Sequence, residues 1–129
     1  MQDRPTIDEL LEAVAGFLTD DVMPNTTGRL NFHARVSSNV LQMIRRELDL
    51  QEAHLSSEWL GLDALLGPVA RPPTLAETRV ALEARNRDLA ERIRGGEADG
   101  GDFQAAVLAH LRAVMRDKLA VSNPSLVGS

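Results

Sequence analysis

The segment Thr27–Leu48, TGRLNFHARVSSNVLQMIRREL, decides the fold that the sequence predicts. Its apolar residues recur at three- and four-residue spacing, and together they cover a sector broader than one buried edge of a helix requires. The apolar positions are Leu30, Phe32, Ala34, Val36, Val40, Leu41, Met43, Ile44 and Leu48. We therefore predict a central helix with other helices packed around it.

A shorter amphipathic helix precedes this segment. Thr6 and Glu9 have the spacing of a capping box, in which the threonine oxygen accepts one free backbone N–H and the glutamate accepts another. Apolar residues then recur at helical spacing as far as Pro24, which cannot continue a helix. The pattern predicts a first helix over about Ile7–Val22, and Gly28 marks the start of the second.

The stretch after the second helix contains a predicted break. Acidic residues from Glu47 onward and the Ser56–Ser57 pair indicate that the helix ends near Ala53. A short helix over Glu58–Leu66 should follow, because Gly67 and the proline after it are a stop signal. Its inward positions are Trp59, Leu62 and Leu65.

Two further helices complete the prediction. Thr74 and Glu77 have the spacing of a second capping box, and the helical periodicity that follows stops at Gly95–Gly96. Asp102 is the predicted N-cap of the last helix, which should continue to Asn123–Pro124. We predict an all-α fold, an antiparallel bundle of four main helices and one short helix.

The length predicts a single helical domain over residues 1–129, ordered over about residues 5–124 and with a flexible tail at 125–129. The absence of cysteine excludes disulfides, zinc thiolate sites and iron–sulfur clusters. The N-terminus lacks the pattern of a signal peptide, and no apolar run approaches the ~20 residues that span a bilayer. We expect a cytoplasmic protein that does not contact a membrane.

The charge distribution separates the first two helices. Residues 1–25 carry six acidic side chains and one arginine, whereas residues 26–46 carry four arginines and no acid. This predicts an acidic helix lying against a basic one. A net charge of −5 and only four aromatic residues argue against nucleic-acid binding, which needs cations for phosphates and rings for stacking.

Four polar residues interrupt the apolar sectors: His33, Asn39, Asn86 and His110. Such groups either satisfy one another inside a bundle or line a ligand site between helices. Two metal ligands on one helix should lie three or four residues apart, and neither His33 nor His110 has such a partner. With no Gly-x-Ser-x-Gly turn or phosphate-binding loop, we expect no metal, no cofactor and a non-catalytic role.

His33 and Asn39 carry the sharpest of these predictions. Both lie within the broad apolar sector of the second helix, so we expect them to be shielded from water and hydrogen-bonded. The predicted partners are polar groups of the last helix such as Arg112, Lys118 or Asn123.

The start of the second helix is an alternative, ligand-binding location. Free backbone N–H groups and the helix dipole favour anions there, Gly28 permits close approach, and Arg29 and His33 lie one turn apart. This combination suits a phosphate or carboxylate. The competing explanation is that Arg29 pairs with a carboxylate of the first helix while Thr27 only caps the second.

Two stretches, GRLNFHARVSSNVL at residues 28–41 and HLRAVMRDKLAVSNP at residues 110–124, resemble a family of small bacterial proteins of unknown function. The matching positions are Gly28, Arg29, Phe32, His33, Arg35, Val36, Asn39, Val40, Leu41, Leu111, Arg112, Lys118, Leu119, Ala120, Asn123 and Pro124. The resemblance implies a compact helical protein with no assigned reaction. It also implies genes that often lie beside those of an aminoglycoside-phosphotransferase-like kinase and an acyl-CoA dehydrogenase.

We therefore predict an accessory protein-interaction module associated with kinase or acyl-CoA metabolism. Its partner would be another cytosolic protein, such as the phosphotransferase-like kinase, or a second copy of itself, with Leu60 and the exposed part of Trp59 as surface anchors. The alternative is a domain or enzyme that binds a phosphate- or carboxylate-bearing ligand. Its candidate residues are Gly28, Arg29, His33, Arg35, Asn39, Arg112, Lys118 and Asn123.

Overall fold

Four α-helices dominate residues 3–128, the part of the chain that the computed structural model describes. They are α1 (Ile7–Gly16), α2 (Gly28–Leu66), α3 (Leu75–Arg94) and α4 (Gly101–Ser122). A π-helical turn at Phe17–Val22 and 3-10 turns at Met23–Asn25 and Pro124–Leu126 complete the secondary structure. No strand occurs within this range, which confirms the all-α prediction.

The predicted short helix is the last part of α2 and not a separate element. α2 continues for 39 residues through Ser56–Ser57, so the predicted break near Ala53 is wrong. No proline lies within α2. Leu55 and Trp59, one turn apart, both pack into the same apolar cluster. This burial outweighs the small intrinsic cost of two serines in a helix.

The helix starts follow the predicted caps at two of three positions. At α1 the Glu9 N–H donates to Thr6 Oγ1 at 3.2 Å, and the Thr6 N–H donates to the Glu9 carboxylate at 2.7 Å. At α3 the Thr74 side chain accepts from the Glu77 N–H at 3.2 Å. At α4 the N-cap is Gly100 and not Asp102, which lies in the first turn. Its carboxylate there still complements the positive end of the helix dipole.

Contacts divide the chain into two compact units, Met1–Asp49 and Leu50–Ser129, with the boundary inside α2. In the N-terminal unit, α1 runs antiparallel to the first half of α2. Ala15, Ala34 and Ser38 are buried there, because small side chains let two helices approach closely. The single domain expected from the length stays a prediction.

The apolar core of the C-terminal unit joins the end of α2 to α3 and α4. Its buried members are Trp59, Leu62, Leu82, Leu89 and Val107. The inward positions predicted for Trp59 and Leu62 are confirmed, and Trp59 is only 4% exposed. Trp59 is therefore not a surface anchor, whereas its neighbour Leu60 is 65% exposed.

None of the helices described is long and apolar enough to cross a bilayer. Residues 125–128 of the predicted flexible tail include the end of the last 3-10 turn, and Ser129 lies outside the described residues.

Candidate functional site

The predicted anion site at the start of α2 is an exposed surface. Gly28 has a φ of +64° with nothing near the position of a Cβ, so the backbone there is open to approach. Arg29 Nε donates to His33 Nε2 at 3.3 Å, which places these two side chains together as their one-turn spacing predicts. Arg45, rather than Arg29, pairs with the α1 carboxylates of Asp8 and Glu12.

Arg45 joins α2 to α1 in the N-terminal unit. Its guanidinium donates to both Asp8 carboxylate oxygens, at 2.6 and 2.9 Å, and lies 3.6 Å from Glu12. The hydrogen bond from Arg45 lowers the pKa of Asp8, and the same bond raises the pKa of Arg45. The predicted packing of an acidic helix on a basic one is confirmed at this contact.

The prediction that His33 and Asn39 are shielded from water is wrong, since both residues are exposed. The side of α2 that meets α1 is set by Ala34 and Ser38. At about 100° per residue, His33 and Asn39 point well to either side of that contact. The broad apolar sector misled the prediction because only part of it is covered.

The other candidate residues are exposed as well. In the N-terminal unit, Arg35 Nη2 lies 3.5 Å from Asn31 Oδ1, at the limit of a hydrogen bond. In the C-terminal unit, Asn123 accepts a hydrogen bond from the Ser125 hydroxyl at 2.6 Å. The eight candidates divide between the units, with Gly28, Arg29, His33, Arg35 and Asn39 in one and Arg112, Lys118 and Asn123 in the other.

Asn86 and His110 lie in the C-terminal unit with different surroundings. Asn86 Nδ2 donates to Glu58 Oε1 at 2.8 Å, so this half-buried amide is a satisfied boundary group. The His110 ring packs directly on Gly61 of α2, where a Cβ would lie 2.3 Å from His110 Nδ1. The other ring nitrogen, Nε2, is buried without a hydrogen-bond partner among the residues described. Burial lowers the pKa of His110, and the nearby Glu58 charge opposes this effect only in part.

The stability of the protein should therefore fall as the pH drops through the ordinary range of histidine. Because the folded state holds His110 with a lowered pKa, it binds fewer protons than the unfolded chain. Above about pH 6.5, the pKa of histidine in the unfolded chain, the free energy of unfolding has its full value. Below that pH the unfolded chain takes up a proton before the folded state does, so the free energy of unfolding decreases. Urea denaturation at pH 7.5, 6.5 and 5.5 measures the effect.

His110→Gln, which has no titrating ring, should flatten that pH profile. His33→Gln is the matched control, because it removes a histidine that is exposed on α2. It should leave the pH dependence of stability close to that of the wild type. Equal slopes in the wild type and His110→Gln would contradict this account.

No group of three or more histidine, aspartate or glutamate side chains within residues 3–128 is arranged to hold a metal ion. Two open grooves lie on the described part of the chain; of the eight candidate residues, Arg112 lines one of them and the other seven line neither.

The groove of the C-terminal unit lies along α4 and is named here the α4 groove. Its volume is about 450 Å³. Its lining residues are Leu108, Leu111, Arg112, Met115, Arg116, Leu119, Leu126 and Val127. On α4 the apolar members recur three and four residues apart, so they form one continuous stripe. The sequence shows this spacing, but the spacing alone does not tell whether a neighbouring helix covers the stripe.

The N-terminal unit has a second groove and a broader apolar surface. The groove, of about 630 Å³, is lined by Ile7, Asp8, Gln42, Arg45, Arg46, Leu48 and Asp49. The surface, named here the hairpin face, consists of Ile7, Val14, Leu30, Val40, Ile44 and Leu48. Each of these side chains is between 41% and 66% exposed. Monomeric proteins rarely expose contiguous apolar patches of this kind.

Residues 24–126 match the family described as Domain of unknown function (DUF6285). The chain belongs to this family. The DUF6285 match contains both stretches on which the resemblance rests, at residues 28–41 and 110–124, and it begins after α1. No curated protein and no solved structure shows a significant match to the chain.

Proposed function

We propose that this DUF6285 protein is a non-catalytic accessory module whose α4 groove binds an amphipathic helix of a partner protein. The observation that carries the proposal is the uncovered apolar stripe of α4, where Leu108, Leu111 and Met115 are each at least 40% exposed. A helix with apolar residues at positions i, i+3 or i+4, and i+7 fits such a groove. Burying both apolar surfaces drives the association.

The composition of the α4 groove specifies the partner further. Arg112 and Arg116 lie one turn apart in its lining, so the bound helix should carry acidic residues along that flank. Met115 supplies an unbranched, polarizable side chain that adapts to the shape of its occupant. Leu126 and Val127, from the segment after α4, complete the lining of the groove.

The first partner to test is a phosphotransferase-like kinase. The family resemblance implies that the gene often lies beside the genes for such a kinase and for an acyl-CoA dehydrogenase. An association with kinase or acyl-CoA metabolism in the cytoplasm is part of this proposal. Support for it comes from the resemblance alone, whereas support for the binding mode comes from the groove.

Leu111→Glu should weaken binding of the kinase by about 100-fold, since a carboxylate would be desolvated in the apolar floor of the α4 groove. Arg112→Glu with Arg116→Glu should weaken binding by about tenfold, in a manner that depends on salt. Isothermal titration calorimetry of the full chain with the purified kinase measures both effects.

Val80→Glu is the matched control, because Val80 is 70% exposed on α3 and does not line the α4 groove. Binding that is equally strong in Leu111→Glu and the wild type would reject the groove as the binding site. Turnover of an acyl-CoA or phosphate ester by the purified protein, lost in His33→Ala, would favour the alternative function. In that alternative, Arg29 and His33 bind a phosphate- or carboxylate-bearing ligand, an assignment supported by their direct contact.

A further inference from the structure

The hairpin face lies on one side of the pair formed by α1 and the first half of α2. The contact between the two helices is fixed by Ala15 and Ser38, and by Asp8 with Arg45. At about 100° per residue, Ile7 and Val14 point roughly a quarter turn from the contact side of α1. Because the helices are antiparallel, the same geometry directs Val40 and Ile44 of α2 to the same side of the pair.

The size of the hairpin face fits a specific protein interface. Two adjacent helices, each about 10 Å across, present a strip about 20 Å wide, and residues 28–49 of α2 extend it for about 30 Å at 1.5 Å per residue. A standard interface buries about 800 Å² on each partner. A strip of these dimensions, with six exposed apolar side chains, is of that order.

The charges around the hairpin face select the partner. α1 and its π-helical turn are acidic, whereas the first half of α2 is basic. At the connecting end of the pair, Asp21 and Arg29 are both exposed, one on each helix. A surface of one charge, such as a nucleic acid or an anionic membrane, would attract one helix and repel the other. A second copy of the same pair offers both signs in complementary positions.

We propose that a second copy of this chain covers the hairpin face, with α1 of each copy lying against the first half of α2 of the other. A two-fold axis parallel to the helices produces this arrangement and brings acidic helix against basic helix twice. The other face-to-face arrangement, α1 on α1, would place like charges together. The result is a four-helix arrangement in which the apolar side chains of both copies are buried. The proposal concerns a different surface from the α4 groove and is independent of the partner bound there.

The wild-type chain should be a dimer in sedimentation equilibrium at micromolar concentration. Val40→Glu with Ile44→Glu should raise the dimer dissociation constant by at least about 100-fold, because two carboxylates would be buried against an apolar surface. Val80→Glu should remain dimeric, since Val80 lies on α3, outside the hairpin face. Far-UV circular dichroism of each variant checks that the helices are retained.

A charge exchange tests which helices meet. Asp21→Arg and Arg29→Asp should each weaken the homodimer, because each creates like-charge pairs twice across the two-fold axis. An equimolar mixture of the two variants should form the heterodimer, in which every exchanged pair again has opposite signs. Native mass spectrometry resolves the three species.

A wild-type monomer at 100 μM, or a mixture without preference for the heterodimer, would overturn the proposal. Loss of the dimer in Leu111→Glu, with no loss in Val40→Glu and Ile44→Glu, would also overturn it, because the dimer would then use α4. Kinase binding through the α4 groove remains separately measurable in either case. Failure of self-association is thereby distinguished from failure of the proposed function.

Discussion

Arg85→Ala should lower the free energy of unfolding by about 3–5 kcal/mol, the usual cost of breaking a buried ion pair. The Arg85 guanidinium donates to Asp63 Oδ1 at 2.8 Å and to the Gly67 carbonyl at 3.0 Å, and it lies 4.6 Å from the Trp59 ring centroid. The Arg85 side chain is only 9% exposed. Its removal strands the Asp63 carboxylate and leaves a cavity over the indole.

The same network holds the proline-rich connection after α2. Trp59 Nε1 donates to the Val69 carbonyl at 3.1 Å, and the Val69 N–H donates to Asp63 Oδ1 at 3.2 Å. Arg85→Ala should therefore also increase hydrogen exchange at Val69. Faster exchange at Val69 would show that the substitution loosens the proline-rich segment after α2 as well as breaking the ion pair.

Arg87→Ala is the control for the Arg85 prediction. Arg87 lies two residues further along α3 and pairs with Glu83 at 2.7 Å, but its side chain is 72% exposed. Exposed pairs contribute at most about 1 kcal/mol, so the control should change stability little. Guanidinium denaturation of both variants gives the comparison. Equal losses would show that burial of the Arg85 pair does not matter.

Gly61→Ala should lower the free energy of unfolding by about 1–3 kcal/mol, the cost of overpacking a close contact. A Cβ at this position would lie 2.3 Å from His110 Nδ1 and 2.7 Å from His110 Cε1. The direction is the opposite of what helix propensity alone predicts, since alanine is favoured over glycine by about 1 kcal/mol inside a helix. The contact between α2 and α4 therefore decides the sign.

A double substitution isolates that contact. In a His110→Ala background, Gly61→Ala should become neutral or stabilising, by up to about 1 kcal/mol, because the obstructing ring is gone. Gly100→Ala serves as the glycine control, since nothing lies within 4 Å of its Cβ position. If Gly61→Ala costs the same in both backgrounds, the effect does not arise from His110.

The start of each helix was the most predictable part of this fold. Thr6 and Thr74 each bind an N–H three residues along the chain, so the sequence contains both partners of the bond. The helix end predicted near Ala53 was wrong, because contacts between residues of different helices decide whether α2 continues. Helix propensity there differs by tenths of a kcal/mol, and packing of Leu55 and Trp59 in the core is worth more.

The candidate site was predictable only in part. The one-turn spacing of Arg29 and His33 correctly placed these side chains in contact. Their exposure depends on which side of α2 meets α1, and periodicity alone leaves this open because the apolar residues extend around much of the helix. The apolar stripe of α4 was visible in the sequence, but a stripe has the same spacing whether a neighbour covers it or not.

The sequence by itself determined the all-α fold, the caps at Thr6 and Thr74 and the opposite charges of the first two helices. Each of these depends on residue type or on neighbours within one helical turn. Tertiary structure alone decided that Arg85 lies over Trp59, that His110 packs on Gly61, and that the side chains of the hairpin face are exposed in the single chain. The first two are contacts between residues far apart in the chain, and the second is possible only because Gly61 has no side chain. Spacing within one helix does not reveal such contacts.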